Sequence, residues 1–198
     1  VLMVGHTYVF HPAVQALRAA VETGEVGAVR HIESRRLNLG IYRNDCDVVW
    51  DLGPHDVSIL NLLLGGPPTS VRASGACALA PGLIDVAHLT LQYPRGVQAA
   101  VSLGWRWPIK VRELTLVGSS GMAVFDDTDK ASPLRFFDSH VRLPRQGEAA
   151  KAPQAFVYRS GGMRVHDVSA LEPLALEVQH FLDCVTEGAD PVTGIDHA

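Results

Sequence analysis

Asp51 and His55 stand four residues apart in the stretch DVVWDLGPHDVSIL, which runs from Asp47 to Leu60. On a helix, residues four apart share a face. A carboxylate beside an imidazole fixes the ring tautomer and raises its basicity, the arrangement of a general base and its orienting acid. A helix beginning near Asp51 puts Pro54 in the first turn, where its missing N–H costs nothing. The positive end of the helix dipole then disfavours the imidazolium and keeps His55 able to accept a proton. The same residues admit plainer roles. Asp51 serves equally as an N-cap, with Asp56 an acid favoured in the first turn and His55 a surface residue. Asp51 and His55 can also ligate a metal, but no third ligand is evident nearby, and no metal is assigned.

The residues leading into this stretch offer weaker candidates. Arg43, Asn44 and Asp45 lie in a polar loop, IYRNDCD. Arg43 is suited to clamp a carboxylate or phosphate bidentately, or is a solvated loop residue. Trp50 either stacks on a bound ring or packs beside the helix, the second reading being favoured. In GWRWP, strand alternation puts Trp105 and Trp107 on one face and Arg106 on the other, a sheet surface suited to an oligomer contact. His6 and His11 lie near the start of the chain; with His31, His88 and His180 they form no cluster in sequence and receive no chemical role.

The elements that must carry these groups follow from pattern. VLMVG reads as a short strand. Pro12 opens a helix with Val14, Leu17 and Val21 at helical spacing, ended by Gly24. GAVRHIESRRLNLG alternates through Val29, Ile32 and Leu37 as a strand. The helix carrying His55 stops at Gly65-Gly66-Pro67. From Thr69 the chain reads as strands: SVRASGACAL, then two runs joined at YPRG, then a hairpin about Gly118–Gly121. LRFFDSHVRLP suggests a third hairpin, and residues 144–162 a Pro/Gly-rich loop. The last helix is EPLALEVQHFLDCVTEG, with Leu174, Val178, Phe181 and Val185 on one face. Helices early and late with strands between predict an α+β fold: an open, mainly antiparallel mixed sheet with helices on one face. No GxGxxG links a strand to a helix, so no residue is assigned to cofactor binding.

The 198 residues suffice for one large domain; 47% are apolar and 19% charged, with net charge −4. No Lys/Arg block points to nucleic acid, and no apolar run is long enough to span a bilayer. Cys46, Cys77 and Cys184 are odd in number and widely spaced, which favours free thiols and a cytoplasmic setting. The chain opens without Met inside an apolar segment and stops at DPVTGIDHA. It reads as part of a longer protein.

WDLGPHDVSIL resembles the D-x-x-x-H-x-x-D-like segment of the Gfo/Idh/MocA oxidoreductases, the glucose–fructose oxidoreductase and inositol dehydrogenase family. VGHTYVFHPAV resembles the segment leaving that family's dinucleotide domain, and ETGEVGAVRHIESRRLN its helix–Gly–strand step. LVGSSGMAVFDD resembles its G-x-x-G hairpin, and EPLALEVQHFLDCVTEGADPV its late helix. RLNLGIYRNDCDVVWDL resembles members acting on sugars or nucleotide sugars. The resemblance implies that residues 1–10 end a dinucleotide-binding domain, and that 11–198 form a substrate and oligomerisation domain truncated at its C-terminus. It implies NAD or NADP, held mainly by the other domain with its glycine loop and Glu-Lys-Pro lysine. It implies a homodimer or homotetramer formed through the sheet face, and oxidation of a hydroxyl of a sugar, nucleotide sugar or cyclitol. His55 then exchanges the proton, Asp51 partners it or binds the substrate hydroxyl, and Arg43, Asp45 and Trp50 are substrate-binding candidates. Asp56 corresponds less securely. Where many members carry Arg before Phe-x-Pro, this chain has Val9. The alternative is a non-catalytic oligomerisation or binding module on the same fold.

Overall fold

His11 caps the first helix, α1 (Pro12–Glu22): its Nδ1 accepts the Ala13 N–H at 3.1 Å, and Pro12 supplies the preset first turn. The apolar stripe Val14, Leu17 and Ala20 is buried. A computed structural model describes residues 1–144 and 156–197. After α1 comes β1 (Val29–Leu39), whose inward positions are Ile32, Ser34 and Arg36. Two of the three are polar, which matters below.

The central helix, α2 (Val48–Leu64), starts earlier than Asp51. Asp47 is the N-cap, and its Oδ1 accepts the N–H groups of Val49 and Trp50, both at 3.0 Å. Pro54 therefore lies inside the helix, not in its first turn. There it removes the donor that would pair with the Trp50 carbonyl. The helix ends at Gly65, whose left-handed φ of 79° a side chain would resist.

The remaining strands are β2 (Ser70–Ala76), β3 (Val86–Gln92), β4 (Gln98–Gly104), β5 (Arg106–Gly118), β6 (Met122–Asp126), β7 (Leu134–Arg142) and β8 (Val157–Val165), followed by α3 (Pro173–Thr186). They form one open sheet in the order β2-β3-β4-β1-β5-β6-β7-β8. Only β1 and β4 run parallel; the other neighbours are antiparallel. This is the expected α+β architecture. Ile32, Leu89, Val101, Leu103, Leu114, Leu116 and Phe125 project from the covered face into one core with Val14, Leu17, Ile59 and Leu60 of α1 and α2. Gly53 lets α2 approach β4 closely: a Cβ there would sit 3.4 Å from Leu103.

Several expectations are corrected. Residues 1–5 form no strand; the Val4 N–H instead donates to the Thr193 carbonyl at 2.8 Å. Leu134–Arg142 is one strand, paired with β8, not a hairpin. Part of the expected loop, residues 157–162, belongs to β8; residues 145–155 lie outside the described residues. Val97, Ala99 and Val101, whose apolar alternation suggests an open sheet face in need of cover by a second copy, are instead buried under the helices. Trp105 precedes β5 and is buried, while Trp107 is half-exposed, because a bend between β4 and β5 breaks their alternation. On α3, Leu174, Val178, Phe181 and Val185 are 39–55% exposed, and the buried residues are Glu177 and Cys184.

Candidate functional site

Asp51 does not orient His55. Its Oδ2 accepts the Trp105 indole N–H at 2.9 Å, and its Oδ1 accepts the Arg43 Nε–H at 2.6 Å. Trp105 is fixed in turn: its ring lies 5.3 Å from that of Tyr42, whose hydroxyl donates to buried Asp85 at 3.0 Å. Asp51 thus ties the loop before α2 to the end of β4. Arg43 joins it there, and Asp45 is exposed beside Cys46. Trp50 is 76% exposed and does not pack on the helix, contrary to the favoured reading. Among the described residues, none of Arg43, Asp45 or Trp50 makes a hydrogen bond or ring contact with His55.

His55 faces a different set of residues. Its ring meets Tyr8 edge-on at 5.4 Å, and its Nδ1 is buried with no hydrogen-bond partner among the described residues. Tyr8 lies in a short 3-10 turn, Thr7–Phe10, between the chain start and α1. The Arg36 guanidinium stacks over the Tyr8 ring at 4.3 Å. The next residue after His55, Asp56, is 2% exposed and receives Arg36 Nε at 2.6 Å, Arg36 Nη2 at 3.4 Å and Ser34 Oγ at 2.6 Å. A buried pair is tolerated only when its lone pairs and protons are met in this way.

Beyond Tyr8 the network continues. The Tyr8 hydroxyl donates to Asp127 Oδ2 at 2.9 Å and accepts from Arg112 at 3.0 Å. Arg112 and Lys130 both donate to Asp127 at 3.1 Å, and His11 Nε2 lies 3.6 Å from it. Burial pushes the Asp127 carboxyl up. The hydrogen bonds from His11, Tyr8, Arg112 and Lys130 outweigh that and hold it well below the usual carboxylate range. Tyr8, Arg112, Asp127 and Lys130 line a polar cleft of about 220 Å³. On the other side of α2, Trp50, Gly53, Pro54 and Val57 line a mostly apolar cleft of about 540 Å³ with Val4 and His6.

The electrostatics favour a neutral imidazole. The His55 pKa is lowered, first by burial and then by Arg36; Asp56 opposes this, while Arg112 and His6 add to it. The helix dipole is not the cause, because His55 sits beyond the first turn of α2 and the dipole effect fades within that turn. A neutral, half-buried imidazole is suited to exchange a proton with a bound hydroxyl.

Tyr8, Arg36, Arg112 and Asp127 were missed as site residues. One signal was present: Ser34 and Arg36 occupy inward positions of β1 by the same alternation that buries Ile32. Polar residues at core positions of a strand require buried partners.

The chain belongs to the GFO/IDH/MocA family: the model of that family's C-terminal domain matches residues 14–124. It is 29% identical over 187 residues to UDP-N-acetylglucosamine 3-dehydrogenase of Acidithiobacillus ferrooxidans, covering 93% of this chain and 54% of the relative. A solved structure of that enzyme aligns with TM-score 0.76 and 27% identity, covering 98% of this chain and 56% of the other. An oxidoreductase from Agrobacterium radiobacter, solved with NAD+, L-tartaric acid and magnesium, shares the fold at TM-score 0.69 and 16% identity, covering 98% and 57%. The chain spans about half the length of this curated dehydrogenase relative. Among the described residues, no helix is long and apolar enough to cross a membrane.

Proposed function

We propose that the chain is the substrate domain of a cytoplasmic NAD(P)-dependent dehydrogenase that oxidises a hydroxyl of a sugar, nucleotide sugar or cyclitol. The observation that carries this reading is His55 itself, half-buried, kept neutral, with Nδ1 unpaired beside Tyr8. The described residues do not fit a whole dinucleotide. The Gly118–Gly121 turn joins β5 to β6, and no helix N-terminus follows it to take a pyrophosphate. NAD or NADP therefore falls to another domain of the full protein, and its nicotinamide accepts the hydride when bound.

This chain's own part is the proton. His55 takes it from the substrate hydroxyl, and Arg36 and Arg112 keep the imidazole free to receive it. Arg43 and Trp50 stand at the rim of α2 as substrate contacts, with Arg43 held in place by Asp51. Asp45 is placed in the same rim, and two or four copies meet over the open sheet face.

The test is steady-state kinetics of the protein joined to its dinucleotide domain. His55→Ala is expected to lower turnover by about a hundred- to ten-thousand-fold. Cofactor affinity and thermal stability should change little. Full activity in the variant, or loss only through unfolding, would overturn the reading.

A further inference from the structure

Two arginines face each other across the centre of the sheet. In the β1–β5 register Arg36 is the direct partner of Arg112, on the face that α1 and α2 cover. Like charges opposite one another destabilise a strand pair. Arg36 is also 95% buried, at 5% exposure, and Asp56, Ser34 and the Tyr8 ring are arranged around it. A hydrophobic pair of similar volume is often no less stable than a buried ion pair, so stability is weak ground for this arrangement.

The site supplies a better ground. Asp56 adjoins His55 in α2, and Tyr8 packs against the His55 ring. Arg36 touches both. We propose that Arg36 is a positioning residue for His55: clamped by Asp56 and stacked on Tyr8, it fixes the wall against which the imidazole rests and keeps a positive charge beside it. The proposal deepens the reading of His55 as the proton acceptor and rests on it.

The charged and titratable groups around His55 come from every element packed against it. Arg36 comes from β1, Arg112 from β5, Asp56 from α2, His6 from the segment before the 3-10 turn and Tyr8 from the turn. Two of these make predictions of opposite sign. Removing the Arg36 cation lets the imidazole hold its proton to higher pH; removing the Asp56 carboxylate makes it lose the proton at lower pH.

The first experiment is an NMR titration of the His55 Cε1–H resonance in this chain, assigned by its loss in His55→Ala. The midpoint should move up in Arg36→Met, move down in Asp56→Asn and stay near the parent value in Arg36→Lys. If the single variants fail to fold, the double variant Arg36→Met with Asp56→Asn removes both charges at similar volume. Its midpoint should still rise, because Arg36 acts on His55 more strongly than Asp56 does. An unchanged or lowered midpoint in Arg36→Met or in the double variant overturns the proposal. So does a shift of the same sign in Asp56→Asn.

The second experiment is the pH profile of kcat/KM in the protein joined to its dinucleotide domain. Its acid limb should follow the His55 midpoint in each variant. Arg36→Lys should keep the limb but lower kcat, since lysine keeps the charge and loses the planar fork and stacking. A midpoint that moves without the limb supports the coupling of Arg36 to His55 and overturns the assignment of His55 as the base.

Discussion

At the scale of single residues, Asp51 and His55 show what spacing can and cannot reveal. Both stand out in the sequence, but the partner of Asp51 is Trp105, far along the chain, and nothing local announces it. Asp51→Asn keeps an acceptor for the Trp105 indole and loses the charge that holds Arg43. It should raise KM for substrate while leaving the acid limb of the pH profile in place; a moved limb would restore Asp51 as the partner of His55. A second expectation concerns acid. Burial, followed by His197, lowers the pKa of His6 against the pull of Glu177, and burial with Arg36 lowers that of His55. In the unfolded chain both histidines take up protons near the ordinary value of 6.5. Stability is therefore full above that pH and lost as pH falls below it toward the folded values. Asp127 adds loss at lower pH, from about the ordinary carboxyl value downward. Thermal melts from pH 8 to pH 5 should show a falling midpoint, and a flat or rising one would contradict the assignment of both histidines as buried and neutral.

At the scale of elements, the sequence is most readable where turn chemistry and hydrophobic period agree. The YPRG and GSSG turns, α1, α2 and α3 are all where their patterns place them. The start of α2 is not, because Asp47 and Asp51 are both good caps and only the backbone decides between them. Strand β8 was hidden for a different reason. Its exposed residues include adjacent glycines, Gly161 and Gly162, which read as loop, and an exposed edge strand carries no buried period. The GSSG turn makes a sharper claim than its pattern does. A Cβ on Gly118 would lie 2.0 Å from the Val26 carbonyl oxygen, backbone that cannot step aside. Gly118→Ala should lower the melting temperature markedly, while Gly162→Ala, with open space around it, should not. Equal melts for the two would refute the close approach.

At the scale of the whole molecule, the fold class follows from element order, whereas strand order does not. Nothing in the run of hairpins tells that β1 inserts between β4 and β5. The same insertion decides which residues remain on the open face. Glu33 pairs with Ala100 and Thr115, and Arg35 with Ser102 and Glu113, so here the surface carries small and polar side chains beside an Arg35–Glu113 bridge of 2.7 Å. Two such surfaces can stack closely through bridging charges and small side chains. Light scattering should find at least a dimer, and a monomer at high concentration would rule out this face. The central seat of β1 also sets an order of events in time. The hairpins β3–β4 and β5–β6 close over short loops, but Ile32 reaches Ala99 and Leu116 only after most of the domain has been threaded past it. The strand is therefore expected to join late on the folding route, a keystone dropped into an opening the hairpins leave. Ile32→Val, costing about 0.5–1.5 kcal/mol, should speed unfolding and leave refolding almost unchanged in stopped-flow measurements. A slowed refolding limb would mean that the centre of the sheet forms first.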